Sequence, residues 1–201
     1  MSQPSEASSS TLAAVAQREY SPEERTLLLQ IAHESILSFV EKRETSIFTP
    51  SPHLTEPRGV FTTLYSNGRL RGCVGYPAAI LPLYRGVFET ARAAAVDDPR
   101  FCPVELEEAR ALRISISVLS LLHPISADQV EVGRHGLVIS HAGQRGLLLP
   151  QVPVEHGWNR VTFLEQTCLK AGLSPNAWRS GAHIEAFTAE VFGDAGTAGT
   201  S

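Results

Sequence analysis

One cysteine stands in a sequence context that suits thiol chemistry. Cys73 lies in the stretch Arg71-Gly72-Cys73-Val74-Gly75. A thiol beside a fixed positive charge loses its proton more readily, and the thiolate is the form that attacks electrophiles. Cys73 is therefore the candidate nucleophile. Arg71 is the candidate group that favours the thiolate or binds an anionic substrate.

The two glycines beside Cys73 carry a second signal. Glycine inside a strand commonly marks a bulge or a place where another group approaches the backbone closely. Gly72 and Gly75 are therefore candidate substrate-binding positions. The alternative is that Cys73 is a small buried apolar residue, which is the usual role of a free cysteine. The sequence leaves both interpretations open.

A histidine further along the chain is the candidate general acid or base. His135 lies in its own glycine-bounded turn, Gly133-Arg134-His135-Gly136. A thiol paired with a histidine suits acyl or amide transfer to or from a small-molecule or protein substrate, and redox chemistry of the thiol is a further option. The enzyme hypothesis requires His135 to come within hydrogen-bonding distance of Cys73. Glu89 is a more distant candidate for an orienting carboxylate.

Two other functions stay open at this point. Cys73, His135, His141 and His156 are residue types that bind metals, but their spacing matches no helical or zinc-finger pattern, and no cofactor is predicted. The protein could instead be a non-enzymatic interaction module, in which glycine-rich loops form a binding surface and Cys73 is structural. The motifs of Ser-His-Asp hydrolases and of nucleotide-binding loops are missing from the sequence.

A hairpin must position Cys73. Asn67-Gly68 between two runs of β-forming residues predicts a type I′ turn, because that turn needs positive φ at both central positions. Counting outward from this turn pairs Cys73 with Thr62. Alternation then places Cys73 on the outer face with Arg69 and Arg71, and assigns four apolar side chains to the core face: Phe61, Tyr65, Leu70 and Val74.

The rest of the pattern predicts an α+β fold, because tight hairpins alternate with longer helical connections. Ser21, Pro22 and Glu24 predict a capped helix start, and Asn159 or Thr162 predicts another. The predicted elements are a helix to about Lys42, a helix after Pro82, a strand over 112–121, a second hairpin before and after 142–146, a helix ending before Gly172, and a strand over 184–192. The stretch 150–158 is predicted to be irregular.

Composition bounds the function classes. The 201 residues carry a net charge of −4, with 17 basic and 21 acidic residues mixed along the chain, which argues against phosphate-driven nucleic-acid binding. The sequence has no apolar run long enough to cross a membrane and no basic start typical of a secretory signal. Three widely spaced cysteines form no disulfide framework, which favours a reducing cytoplasm. Residues 1–19 and 194–201 are predicted to be disordered tails around one domain, 20–193.

Several ordered motifs together resemble the AMMECR1 domain family over about residues 20–193. They are Leu70-Arg71-Gly72-Cys73-Val74-Gly75, Asp98-Pro99-Arg100-Phe101, Gly133-x-His135-Gly136-Leu137, Leu149-Pro150-Gln151-Val152 with Gly157-Trp158, and Lys170-Ala171-Gly172-Leu173. The resemblance implies a compact domain with a mixed or mostly antiparallel sheet flanked by helices, and a smaller subdomain.

The resemblance says less about activity, because the biochemical activity of this family is not established. In prokaryotes it implies an association with a Memo-like protein and a radical SAM protein, the AmmeMemoRadiSam set. This chain has neither a three-cysteine iron–sulfur signature nor a dioxygenase metal set. It therefore resembles component A of such a system, with the Memo-like and radical SAM proteins as expected partners.

Overall fold

A computed structural model of the chain describes residues 19–45 and 51–197. Residues 1–18 of the predicted N-terminal tail and residues 198–201 of the predicted C-terminal tail lie outside this part. The helices are α1 Pro22–Val40, α2 Leu83–Val96, α3 Leu106–Ala111, α4 Gln151–Glu155 and α5 Arg160–Lys170. The strands are β1 Val60–Ser66, β2 Arg69–Tyr76, β3 Arg113–Leu119, β4 His123–Pro124, β5 Gly136–His141, β6 Gln144–Leu148, β7 His183–Phe187 and β8 Ala189–Gly193. Helices packed with antiparallel sheets confirm the α+β prediction.

Both predicted helix caps are present. The Ser21 hydroxyl accepts from the Glu24 backbone N–H while the Glu24 carboxylate accepts from the Ser21 N–H, and Pro22 is the first residue of α1. The Asn159 side chain accepts from the Thr162 backbone N–H at the start of α5. Each cap satisfies amide groups that the first helical turn leaves without an intrahelical partner.

The first sheet has the strand order β2-β1-β3-β8, and α1 and α2 cover one of its faces. Val60 and Leu64 of β1 are buried against this helical layer, in which Ala91 and Ala94 belong to α2. Small side chains on α2 let the helix lie close to the sheet. β2 packs against this core through α2.

The hairpin turn is confirmed but the predicted register is wrong. Asn67 and Gly68 have φ values of 51° and 74°, and Tyr65 faces Leu70 as expected. Leu64 then faces Gly72, so Arg71 is an extra residue on β2. This bulge changes the partner of every later residue.

The predicted core face is also wrong. Thr62, Val60 and Leu64 are the buried β1 residues, whereas Phe61 and Tyr65 are not. Thr62 is tolerated inside because its hydroxyl lies 2.8 Å from the Thr90 hydroxyl of α2, so both buried polar groups have a partner.

The second sheet has the strand order β4-β7-β5-β6, with α5 against one face. Leu137 and Ile139 of β5 pack with Phe163 and Cys168 of α5. The predicted second hairpin is confirmed and turns at Ala142 and Gly143, with φ values of 48° and 83°. Cys168 is therefore a core residue of the second sheet.

The two sheets meet through a third apolar cluster around Leu119, Val138 and Phe187. The predicted single strand over 184–192 is wrong at this junction, because β7 belongs to the second sheet and β8 to the first. The chain changes sheets at Thr188, whose N–H donates to the Ser120 hydroxyl and whose carbonyl accepts from the Ser120 N–H. Two shorter elements, α3 and α4, were not predicted; α4 lies in the stretch expected to be irregular.

Residues near both predicted tail boundaries make specific contacts. The Glu19 carboxylate accepts from Arg58, and the Asp194 carboxylate accepts from the Ile114 backbone N–H and lies 2.9 Å from the His33 ring. The packed part of the chain thus continues past residue 193. None of the helices in the described ranges has the length and apolar character needed to span a bilayer.

Candidate functional site

Cys73 lies in the middle of β2, on the face of the first sheet opposite the helices. It faces Thr63 on β1, and its neighbour Gly72 faces the buried Leu64. Because side chains alternate along a strand, Cys73 points away from the helical layer that Leu64 packs against. The thiol is free and half-buried.

The thiol has one hydrogen-bond donor beside it. The Thr63 hydroxyl donates to Cys73 Sγ across 3.3 Å. A hydroxyl in this position gives the sulfur a fixed orientation and interacts most strongly with sulfur that carries negative charge. The bulge creates this pairing, since the register predicted from the turn puts Thr62 opposite Cys73.

Asp98 and Arg100 hold the backbone of Cys73 at the open edge of the sheet. The Cys73 N–H donates to Asp98 Oδ2 at 2.9 Å, and Arg100 Nη2 donates to the Cys73 carbonyl at 3.4 Å. Arg100 also donates through Nε to Asp98 Oδ1 at 2.9 Å and through Nη2 to Oδ2 at 2.7 Å. We call this arrangement the Asp98–Arg100 clamp. It takes the place of a neighbouring strand, because β2 is the edge strand of this sheet in the described part of the chain.

The charges of the clamp are fixed at neutral pH. The Arg100 guanidinium holds the pKa of the Asp98 carboxyl well below its usual range, against the opposing effect of burial, and the two backbone N–H donors act in the same direction as the guanidinium. The Asp98 side chain is 3% exposed while that of Arg100 is 53% exposed. The clamp therefore presents the positive half of an ion pair to solvent beside Cys73.

Arg71, the predicted partner of the thiolate, is engaged elsewhere. Its guanidinium donates to Glu108 Oε1 at 2.7 Å and Oε2 at 3.0 Å, and to the Cys102 carbonyl at 2.8 Å. It also lies 5.7 Å from the centre of the Phe101 ring. These contacts tie β2 to α3 and to the loop after the clamp, and none of them is with the Cys73 sulfur.

The glycines beside Cys73 make room for other parts of the protein. A Cβ atom at Gly72 would lie 2.1 Å from the Ala94 carbonyl oxygen of α2, and one at Gly75 would lie 2.2 Å from the Phe61 ring. The close approach expected from the sequence is thus made by a helix backbone and an aromatic ring. A substrate-binding role for either glycine stays a prediction.

The structure does not bring His135 to Cys73. His135 precedes β5 in the second sheet, and its ring lies 6.3 Å from that of His123. His123 faces Ala186, which belongs to the cluster under α5, whereas the adjacent Phe187 packs toward the first sheet. His135 therefore lies on the α5 side of the second sheet, away from the first sheet.

The surroundings of His135 suit a neutral structural ring. The Glu131 backbone N–H donates to its Nδ1 atom at 3.1 Å. Burial, followed by the charge of Arg134, lowers the pKa of His135 below its ordinary value. The ring thereby closes the turn before β5 as a hydrogen-bond acceptor.

The other candidates are also separated. Glu89 accepts from the Tyr76 hydroxyl at 3.1 Å, and His156 stacks on Trp158 with ring centres 4.6 Å apart. Within residues 19–45 and 51–197, no group of three or more histidine, cysteine, aspartate or glutamate side chains is close enough to hold a metal ion. The proposed metal ligands are thus not assembled in this part of the chain.

The sequence did not predict the hydrogen bonds that Thr63, Asp98 and Arg100 make to Cys73. The predicted register does not include the bulge, so it pairs Cys73 with Thr62 instead of Thr63, and Asp98 and Arg100 appear in the sequence only as part of a motif. The signal for these two is an acidic residue followed by Pro-Arg directly after a helix, where the chain turns back toward the sheet. The pattern does not reveal which backbone the carboxylate will meet.

Comparison with known proteins finds one family model and several related proteins that match most of the chain. The family model described as AMMECR1 matches residues 29–192. Protein MK0488 of Methanopyrus kandleri is 40% identical over 182 residues, which cover 85% of this chain and 88% of that protein. Protein MJ0810 of Methanocaldococcus jannaschii is 39% identical over 180 residues, covering 85% and 90%.

A solved structure shares the fold. The crystal structure of the uncharacterized protein PH0010 from Pyrococcus horikoshii superposes with a TM-score of 0.67 at 39% sequence identity. The match covers 84% of this chain and 90% of the other.

Proposed function

The chain belongs to the AMMECR1 family, and we propose that it is an enzyme whose Cys73 thiolate attacks an electrophilic centre of a small-molecule or protein substrate. The observation that carries the proposal is the position of Cys73: a half-buried thiol next to a hydroxyl donor, with both backbone polar groups held by the Asp98–Arg100 clamp. The Thr63 hydroxyl is the contact that a purely structural cysteine does not need, because it is the one made to the sulfur itself. Fixing a nucleophile before the substrate arrives lowers the entropic part of the barrier.

Acyl or amide transfer is the reaction class that fits these residues. The thiol would first release its proton, the thiolate sulfur would form a bond to the acyl carbon, the bond to the leaving group would break, and the leaving group would take up a proton from solvent. The Arg100 guanidinium is the group best placed to bind an anionic part of the substrate, since its side chain is 53% exposed whereas that of Arg71 is 15% exposed. In this proposal His135 supports its own turn through the hydrogen bond from the Glu131 backbone N–H and does not act on Cys73.

Alkylation rates test the state of the thiol. We expect iodoacetamide at neutral pH to label Cys73 at least about tenfold faster than Cys168, because burial raises the pKa of Cys168 and seals it from solvent. Peptide mass spectrometry resolves the three cysteines, and the exposed Cys102 is an internal reference.

The variant Thr63→Val supplies the matched control for the labelling experiment. It keeps the side-chain shape and removes the hydroxyl donor, so the Cys73 rate should fall severalfold while the Cys102 rate stays the same. Labelling of Cys73 no faster than that of Cys168 would contradict the proposal.

The variant Cys73→Ser separates reactivity from packing. We expect its thermal midpoint to stay within about 2 °C of the parent, since the site is half-buried and already polar. A metabolite screen by thermal shift, run on both proteins, should show ligands that stabilise the parent more than the variant. A drop of many degrees in the unliganded variant would instead assign Cys73 a packing role.

A second candidate function is an interaction module of an AmmeMemoRadiSam-type system, with a Memo-like or radical SAM protein as partner. The favouring observation is a pair of exposed apolar side chains, Val132 in the loop before β5 and Val154 in α4. A Cβ atom at Gly133 would lie 3.2 Å from Val154, so this loop and α4 touch. Size-exclusion chromatography of the protein with each purified partner tests this function, and Val154→Asp should abolish any co-elution.

A further inference from the structure

A groove opens between the two sheets, beyond the end of β2. It encloses about 690 Å³ and is lined by the loop after β2, the segment after β3 and strand β6. Six apolar side chains line it: Pro77, Ala78, Ala79, Leu121, Leu122 and Leu147. This volume lies within the range of sites that bind small molecules, about 300–1,000 Å³.

Strand alternation places one charged side chain, Arg145 of β6, on the groove side of the sheet. Gly146 of β6 faces α5, where a Cβ atom would lie 2.3 Å from the Ala171 nitrogen. Its neighbours Arg145 and Leu147 therefore point to the other face of the strand, toward the groove. Arg145 is exposed, and among the described residues it is the only charged one that lines the groove.

The apolar walls of the groove are exposed to water, and a bound ligand would cover them. Leu121 is 60% exposed and Leu122 is 37% exposed, although they are consecutive in the chain. Adjacent exposed leucines at the rim of a concave surface are typical of a binding site, because covering them removes apolar area from water.

Charge decides which ligand suits the groove. In the part of the chain that the structure describes, no aspartate or glutamate forms an ion pair with Arg145. A guanidinium at one end of an apolar channel matches a carboxylate at one end of an apolar chain, since the fork of N–H donors binds both carboxylate oxygens. We propose that this groove binds a small amphipathic carboxylate, with its apolar chain along Leu121, Leu122 and Leu147 and its carboxylate on Arg145.

This site is separate from the thiol chemistry proposed above. None of its lining residues contacts Cys73 through a hydrogen bond or belongs to the Asp98–Arg100 clamp. The inference therefore goes beyond the proposed function, and either proposal can fail without the other.

Decanoate and decanol are the probes for this site, because they share a chain and differ in charge. We expect isothermal titration of the parent protein to show saturable decanoate binding, with decanol at least about fivefold weaker. Arg145→Gln should weaken decanoate at least about fivefold and leave decanol unchanged. Arg134→Gln, which removes an exposed arginine from another loop of the second sheet, is the matched control and should change neither affinity.

A second variant tests the place of binding. Ala79→Trp fills the groove and should abolish binding of both probes while the thermal midpoint stays near that of the parent. The proposal is overturned if decanoate does not bind, if decanol binds equally well, or if Arg145→Gln has no effect. Retention of decanoate binding by a folded Ala79→Trp variant would also overturn it. So would binding of an uncharged leucine-rich peptide without any decanoate binding, which would assign the groove to a protein partner.

Discussion

Replacing Gly72 by alanine should destabilise the folded protein by about 3 kcal/mol, at the upper end of what overpacking usually costs. The added Cβ would lie 2.1 Å from the Ala94 carbonyl oxygen and 3.0 Å from the Ala94 carbonyl carbon. Both are backbone atoms of α2, so no side-chain rotation relieves the contact. Either the helix or the bulged strand must move, and both belong to the core that positions Cys73.

Thermal unfolding measures this effect. A loss of about 3 kcal/mol corresponds to a fall of about 6–12 °C in the thermal midpoint for a domain of this size. The matched control is Gly68→Ala in the same hairpin, where φ is 74° but no atom lies near the added Cβ. That change should cost only about 1 kcal/mol of backbone strain. Equal midpoints for the two variants would mean that the strand and α2 can separate at little cost.

The hairpin shows which features could be predicted from the sequence and which could not. Asn67-Gly68 determines its own turn through local φ preferences, and Tyr65 opposite Leu70 follows from that turn. The extra residue at Arg71 depends on the approach of α2 to Gly72, a contact made by residues far apart in the chain. The glycine indicates a close approach but does not reveal which element makes it, so the predicted register failed beyond the second pair.

The candidate site divides in the same way. Cys73 was identifiable because its residue type and its glycine neighbours are visible in one short stretch. Its contacts with Asp98 and Arg100 arise when the end of α2 returns to the edge of β2, which is a property of the tertiary fold. His135 had the right residue type, but only the sheet order and strand faces reveal that it packs on the side of α5.

The same limit explains the strand over 184–192. β-forming residues such as Ile184, Phe187 and Val191 recur through this stretch, so its sequence is typical of one strand. The change of sheet at Thr188 is set by two hydrogen bonds to Ser120, which belongs to a different part of the chain. A pattern along one segment can assign an element type but cannot say which neighbour each half will find.

The variant Asp98→Ala should lose both stability and the fixed position of Cys73. Removing the carboxylate leaves the Cys73 N–H without its acceptor at the sheet edge and leaves Arg100 without its ion-pair partner. We expect a loss of about 2–3 kcal/mol in the free energy of unfolding, less than for a fully buried pair because Arg100 is half exposed. Urea unfolding at pH 7 measures this loss. The control Asp97→Ala changes the exposed neighbour and should cost less than about 0.5 kcal/mol.

The pH dependence distinguishes the clamp from a general packing effect. The pKa of Asp98 is lower in the folded protein than in the unfolded chain, so its contribution is complete above the unfolded value of about 4. Below that pH the unfolded chain takes up a proton that the folded protein does not, and the contribution is lost as the pH falls further. The difference between parent and Asp98→Ala should therefore shrink as the pH falls below about 4. If the stability difference stays constant over this pH range and the Cys73 labelling rate is unchanged in Asp98→Ala, the clamp does not position Cys73.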